Sequence, residues 1–245
     1  MIIDTVQERL LVVSDLHVGN PYSAATRNLG EFFEFAESGR YNVCINGDGF
    51  EILQARFASL ATESASVLRG IRRLIDRGLC VLYVVGNHDI ALENFLTAWS
   101  GIHITPFLNV TSGNARIRIE HGHLYDPWYA RSPGAYEVLT RVVGIGRFVV
   151  ADAYALFARS QAVGDRRSRR SGETAEAYRR GAETVLERGF DTVVFGHTHR
   201  ADDVSVRGGR LVNCGNWMRD STYVRIDHGD VSLARWQPGT LDQGE

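Results

Sequence analysis

The 245 residues are 44% hydrophobic and 23% charged, with a formal net charge of −2. This ordinary globular composition excludes intrinsic disorder, collagen-like repeats and low-complexity chains, and it excludes a protein that binds nucleic acid by bulk charge neutralisation. All 27 basic residues are Arg, so Schiff-base and P-loop lysine chemistry are excluded as well. The length suits a single domain over residues 1–245, carrying an insertion.

Strand and helix patterns alternate in the first half. An apolar run over 10–13 ends in Ser14-Asp15, and a second over 43–45 ends in Asn46-Gly47-Asp48. A third, over 79–85, ends in Gly86-Asn87-His88-Asp89. Between the second and third, Leu60, Val67, Leu68, Ile71, Leu74 and Ile75 recur at helical spacing and predict a helix over 58–77. Short apolar strands separated by helices predict a layered α/β fold built on βαβ units. Further along, residues 116–120 lead to His121-Gly122-His123, and residues 192–195 lead to Gly196-His197-Thr198-His199. Strand-like stretches follow near Val204, Leu211 and Val224, and Gly208-Gly209 reads as a hairpin turn.

Residues 128–180 differ from the rest, with ten Arg against five acidic residues. Their first part, 136–157, is apolar and helix-like, and Arg166-Arg167-Ser168-Arg169-Arg170 follows. This reads as a helical cap inserted in the main domain. An apolar wall beside guanidinium groups suits a phosphate-bearing lipid or an anionic membrane surface; the plainer reading is a packed apolar face with solvated Arg. Cys44, Cys80 and Cys214 form no Cys-x-x-Cys pair, and no early apolar run is long enough for a signal segment. The expected location is therefore the cytoplasm, with peripheral contact at the inner membrane face if the cap touches lipid.

Five segments follow predicted strands and are rich in Asp, Asn or His: Asp15-Leu16-His17, Gly47-Asp48, Gly86-Asn87-His88-Asp89, His121-Gly122-His123 and Gly196-His197-Thr198-His199. Open α/β sheets place ligands at the carboxyl ends of their strands, so these loops are expected to converge. Taken singly, a strand-end Asp makes a turn and a His packs. Together they supply nitrogen and oxygen donors and no thiolate, a set suited to Mn, Fe or Zn. Seven such donors exceed what one ion uses, whereas two ions about 3.5–4 Å apart, sharing a carboxylate, use them all.

In order and spacing, from residue 15 to residue 199, this set resembles the calcineurin-like metallophosphoesterase superfamily. The resemblance implies an α/β/β/α sandwich and two divalent metal ions, with Mn expected and Fe or Zn as alternatives. It implies that Asp15, His17 and His199 hold the first ion. Asn87, His121 and His197 would hold the second, and Asp48 would bridge. His88 would face the phosphate or the leaving oxygen, with Asp89 orienting it. Asn87, His88 and Arg200 would bind substrate.

A narrower resemblance is to the UDP-2,3-diacylglucosamine hydrolases. It rests on Asp15-Leu16-His17-Val18-Gly19, Gly47-Asp48-Gly49-Phe50-Glu51, His121-Gly122-His123-Leu124-Tyr125-Asp126, Gly196-His197-Thr198-His199-Arg200 and Asn213-Cys214-Gly215-Asn216-Trp217. It implies a lipid-nucleotide diphosphate substrate, cleaved by attack of metal-activated hydroxide on phosphorus, and a cap that receives acyl chains. Two positions depart from that group: His88 stands where it carries Arg, and His121-Gly122-His123 where it carries His-Gly-Asp. The His88 form is common to phosphodiesterases and nucleases of the superfamily, so another phosphodiester, a pyrophosphate or a phosphomonoester stays open. Nucleic acid is not the expected partner, because no aromatic-basic stripe is visible. A non-catalytic scaffold would lack ligands, and here none is missing. The role of His123 and the oligomeric state stay open.

Overall fold

Strands covered on both faces must be apolar almost throughout, and Arg9–Val13, Asn42–Asn46 and Val81–Val84 are. The computed structural model describes residues 3–20, 23, 25–52, 57–89, 101–131 and 172–239. In chain order the elements are β1 (Ile3–Val6), β2 (Arg9–Val13), α1 (Ala25–Ser38), β3 (Asn42–Asn46), α2 (Phe57–Asp76), β4 (Val81–Val84), β5 (Ile102–Thr105), β6 (Leu108–Ser112), β7 (Ala115–Ile119), α3 (Pro127–Arg131), α4 (Gly172–Leu186), β8 (Thr192–Phe195), β9 (Ala201–Val206), β10 (Gly209–Cys214), β11 (Thr222–Asp227) and β12 (Asp230–Arg235). A 3-10 turn, His123–Tyr125, precedes α3.

The strands form two six-stranded sheets, ordered β12-β11-β2-β3-β4-β5 and β1-β6-β7-β8-β10-β9. They pack face to face. Leu10, Val12, Cys44, Leu82 and Val84 from the first meet Val110, Ile117, Ile119, Val194 and Val212 from the second. Helices α1 and α2 cover the outer face of the first sheet, and α4 covers that of the second through Tyr178, Ala182, Val185 and Leu186. The expected α/β/β/α sandwich is thus present. Cys44 and Cys214 are buried between the sheets, and all three cysteines are free. Among the described residues no helix is long and apolar enough to cross a membrane.

Register positions the site. β2, β3 and β4 run parallel, with Val13 opposite Ile45 and Asn46 opposite Val84, so their carboxyl ends finish together. In the second sheet Ile119 lies opposite Val194, which brings the ends of β7 and β8 side by side. The loops holding Asp15, Asp48, Asn87, His121 and His197 all leave from these ends.

Local sequence explains most boundaries. α2 spans Phe57–Asp76, close to the predicted 58–77. The strand expected over 79–85 is trimmed to Val81–Val84, because Gly78, at φ +77, ends the turn after α2 and leaves Leu79 and Cys80 as its exit. The hairpin turn falls at Arg207-Gly208, and Gly209 already pairs with Val206. Of the stretch 128–180, residues 132–171 lie outside the described residues. Its last part belongs to α4, whose Tyr178 is buried in the outer layer.

α1 presents Ala25, Leu29, Phe32, Phe33 and Ala36 to the sheet, one stripe at helical spacing. Phe32 is the centre of an aromatic cluster, with ring centroids 4.8 Å from Trp217, 5.3 Å from Tyr223 and 5.5 Å from Trp236. Truncating such a side chain leaves a cavity as well as losing its transfer free energy. Phe32→Ala is expected to lower stability by about 3–5 kcal/mol in urea denaturation; a loss under about 1 kcal/mol would place the ring outside the core that holds α1 down.

Candidate metal centre

The strand ends turn sharply to aim their side chains. Eight non-glycine residues among those described have positive φ, and five carry expected ligands: Asp15 (φ 56), His17 (φ 45), Asp48 (φ 51), His197 (φ 63) and His199 (φ 55). The left-handed region costs about 1–3 kcal/mol per residue and persists only where the surroundings dictate it. Here they do. Asp15 N–H donates to Gly47 O at 3.1 Å, His17 N–H to Asp48 O at 2.9 Å, and His197 N–H to Asp15 Oδ2 at 3.0 Å.

The motif glycines are set by close approach. A Cβ on Gly86 would collide with the Asp48 carboxylate, and one on Gly47 with the His121 ring. At Gly196 it would strike Ser14 Oγ, with Asp15 Oδ2 2.9 Å away. Each glycine lets its backbone lie against a side chain of the centre, Asp48, His121, or Ser14 with Asp15.

Six expected ligands fall into two of the three close donor groups among the described residues, the third being His17, Glu51 and His88. Asp15, His17 and His199 form one, and Asp48, His121 and His197 the other, with the ligand atoms of each group within 4.8 Å of one another. In the first, His199 Nε2 lies 3.0 Å from Asp15 Oδ1 and 3.4 Å from His17 Nε2. In the second, His121 Nε2 lies 3.3 Å from Asp48 Oδ2. Asp48 also faces the first group, with Oδ2 3.9 Å from His17 Nε2. Asn87 is buried beside them in the Gly86–Asp89 loop.

The remaining ring nitrogens fix the tautomers. His121 Nδ1 donates to Asn46 O at 2.8 Å, and His17 Nδ1 to Glu51 Oε2 at 2.8 Å. His197 Nε2 meets Asp126 Oδ2 at 3.2 Å. With a single proton on the ring, each imidazole therefore turns its unprotonated nitrogen inward, as metal-bound histidines do. The donor set fits divalent ions. Two buried atoms aimed into the centre, Asp15 Oδ1 and His121 Nε2, make no well-aligned hydrogen bond and face other donor atoms of the centre, His199 Nε2 at 3.0 Å and Asp48 Oδ2 at 3.3 Å. Ligand bonds of about 2.0–2.2 Å put neighbouring donors at the separations seen here.

Electrostatics agrees. Burial would raise the Asp48 and Asp15 carboxyls, but the surrounding imidazoles win. His121 and His88 hold Asp48 well below the usual range, and His199 brings Asp15 to about 2. Burial, reinforced by His121 and His197, pushes His123 down to about 3, and burial also lowers His197, so both stay neutral near pH 7.

Two expected residues, Asp89 and Arg200, stand differently, and the structure also places His123, whose role the sequence leaves open. The Asp89 carboxylate accepts from Gly49 N–H at 2.8 Å, from Gly86 N–H at 2.7 Å and from the Tyr83 hydroxyl. It clamps the loop, while the His88 ring is held by Glu51, at 2.7 Å from Nδ1 to Oε1. Arg200 is exposed and lines a cavity of about 420 Å³ with Arg179, Phe195, Thr198 and Leu211, apart from the ligands. His123 stacks edge-on against Tyr129, its ring centroid 5.5 Å from that of His121. Glu51 and Asp126 are functional neighbours that residue-by-residue reading passed over. The signal for both was their place in the segments Gly47–Glu51 and His121–Asp126.

Residues 8–201 match the calcineurin-like phosphoesterase family. A UDP-2,3-diacylglucosamine hydrolase of Porphyromonas gingivalis is 22% identical over 91% of this chain and 95% of its own length. One of Xanthomonas oryzae pv. oryzae is 26% identical over 92% and 98%. Among solved structures, an archaeal phosphodiesterase aligns over 93% of this chain and 99% of its own at 14% identity, with a TM-score of 0.48.

The pKa shifts set a pH dependence for the metal-free protein. Burial opposes charge on His121 and His88. Asp48 beside the first, and Asp48 with Glu51 beside the second, nonetheless hold them at about 9 and about 10, above their ordinary 6.5. A raised pKa contributes stability that is full below 6.5 and lost as pH rises through the folded value. The urea midpoint of chelator-treated protein is expected to fall between pH 6.5 and pH 10. Metal affinity is expected to rise over the same window, because protons then leave the ligand His121. A rising midpoint would contradict this assignment.

Proposed function

Because the chain belongs to the calcineurin-like phosphoesterase family, we propose that this phosphoesterase is a two-metal hydrolase that cleaves the diphosphate of a nucleotide-linked lipid such as UDP-2,3-diacylglucosamine. The observation that carries the reading is the convergence of Asp15, His17 and His199 with Asp48, His121 and His197 at one sandwich edge. In this reading Asp15, His17 and His199 hold the first ion, Asn87, His121 and His197 hold the second, and Asp48 is shared. Mn is the proposed ion, with Fe or Zn as alternatives that the same imidazole and oxygen donors, without thiolate, also accept. When bound, the ions supply Lewis acidity toward a phosphoryl oxygen and toward water.

The chain's own groups do the rest. Glu51 accepts from His88 Nδ1–H, and His88, whose pKa Asp48 and Glu51 hold at about 10 against burial, keeps a second proton on Nε2 that faces the centre, 4.0 Å from Asp48 Oδ2. From there it donates to the phosphoryl or leaving-group oxygen. Asp89 and Gly86 keep the loop against Asp48, whose Oδ1 accepts the His88 N–H at 2.9 Å. The cavity beside Thr198 joins apolar walls, from Phe195, Val204, Val206 and Leu211, to the cations Arg179 and Arg200, with one acid, Asp202, also in its lining. That pairing supports a substrate with apolar and anionic parts. The relatives named as UDP-2,3-diacylglucosamine hydrolases match more than nine-tenths of the chain, which supports the same choice. His88, in place of the Arg of that group, favours a second reading, a phosphodiesterase for a different ester.

Mn-loaded protein is expected to convert UDP-2,3-diacylglucosamine to UMP and the acylated sugar phosphate, identified by mass spectrometry. Turnover of bis(p-nitrophenyl) phosphate without the lipid would select the second reading. Asp48→Ala is expected to lose both ions and nearly all activity; retention of two ions in elemental analysis would remove Asp48 as the bridge. His88→Ala is expected to keep the ions and slow kcat about 10²–10⁴-fold, and an unchanged kcat would take His88 out of the reaction.

A further inference from the structure

We propose that Asn216 is a positioning residue for His199, so that the loop after β10 sets the first ion site. The proposal rests on the two-metal reading above. β10 runs parallel to β8 with Asn213 opposite Phe195, which lays the loop after Cys214 along the turn Gly196–His199. Asn213 Nδ2 donates to Gly196 O and Asn216 Nδ2 donates to His199 O, both at 2.9 Å. The two amides thus hold the two ends of the turn. Trp217 N–H donates to Asp15 O at 3.3 Å, so the same loop also grips the carboxylate residue of the first group.

His199 needs such a hold more than the other ligands do. Its backbone is left-handed, at φ 55, a conformation that its surroundings must dictate. Its side chain is 29% exposed, whereas those of Asp15, His17, Asp48, His121 and His197 are 10% exposed or less. Packing cages this ring least, so the grip on its carbonyl counts for most. The Asn216 amide has a fixed sense. Its Oδ1 accepts from Arg219 N–H at 3.0 Å, which leaves both Nδ2 protons for His199 O and, at 3.0 Å, Asp220 Oδ2. The loop is anchored in turn. Thr222 Oγ1 closes it by donating to Cys214 O at 2.6 Å. The Trp217 ring is fully buried and lies edge to face with Phe32, 4.8 Å between centroids. A line of contacts therefore runs from the α1 core through Trp217 and Asn216 to His199.

Asn216→Asp keeps the size but sets an acceptor against the His199 carbonyl and the Asp220 carboxylate, so both former N–H bonds become repulsions. Mn²⁺ titration of this variant is expected to show one of two sites weakened about 10–100-fold and the other changed less than about threefold. Anomalous diffraction at a Mn²⁺ concentration between the two affinities should show the peak against Asp15, His17 and His199 lost and the other kept. Asn216→Ala removes the bonds without adding charge. It should give the same pattern with a smaller shift, and it serves as the test if the Asp variant does not fold. Equal weakening of both sites, as a general loosening of the fold would give, would overturn the proposal. So would wild-type affinity at both sites, or loss of the peak at His121 and His197 instead. If the wild-type protein takes up no Mn²⁺, the two-metal reading fails instead. Asn216 is then judged by crystal structures of wild type and Asn216→Ala, in which a displaced His199 would sustain its role and an unchanged His199 backbone and ring would overturn it.

Discussion

Asp15 Oδ1, His17 Nε2 and His199 Nε2 crowd into one buried pit, with His199 Nε2 at 3.0 and 3.4 Å from the other two. Asp48 Oδ2 and His121 Nε2 stand 3.3 Å apart alongside. Lone pairs this close, shielded from water, repel unless a cation lies among them. Protons fill that role in the metal-free chain, which is why His121 and His88 hold theirs to about pH 9 and 10. In the two-ion reading proposed above, two divalent ions would fill it better, because they would accept every donor at once. Most local features of the molecule answer to this crowding: the left-handed loops, the glycines that admit side chains against backbone, and the partners that fix each ring.

The sandwich supplies what the loops lack alone. Five left-handed residues at about 1–3 kcal/mol each would not hold in a free segment. They hold because parallel strands end in register, and each loop then hydrogen-bonds its neighbour. Ser14 Oγ reaches Asn46 O at 2.6 Å, Asn46 Nδ2 reaches Glu120 O at 3.1 Å, and Asn213 Nδ2 reaches Gly196 O at 2.9 Å. Strand ends from both sheets are tied together this way, so the centre bridges the two halves of the core.

Much of this was legible in the sequence. Apolar runs broken by Asp, Asn and His mark β2, β3, β4, β7 and β8 and the site loops together, because strand-end position and ligand chemistry coincide there. α2 was legible from its long apolar stripe. α1 was not named, since Thr26, Asn28 and Gly30 dilute its first turns with weak helix formers and its face at Leu29, Phe32 and Phe33 matters only once packed. β1 alternates half-buried and exposed residues at a sheet edge, and β5 has four residues, so neither carries a strong period. The partners of the ligands were hidden for another reason. Glu51 contacts His17 across 34 positions and Asp126 contacts His197 across 71, distances over which only the fold decides proximity. Asp89 is the converse, adjacent to His88 in sequence but turned into the loop.

The central claim is that the crowded donors are a two-ion site with Asp48 between the ions. Anomalous diffraction from crystals of the Mn²⁺-loaded protein tests it most directly. Two peaks about 3.5–4 Å apart are predicted, one against Asp15, His17 and His199, the other against Asn87, His121 and His197, with Asp48 touching both. A single peak, or ions bound away from these residues, would contradict it.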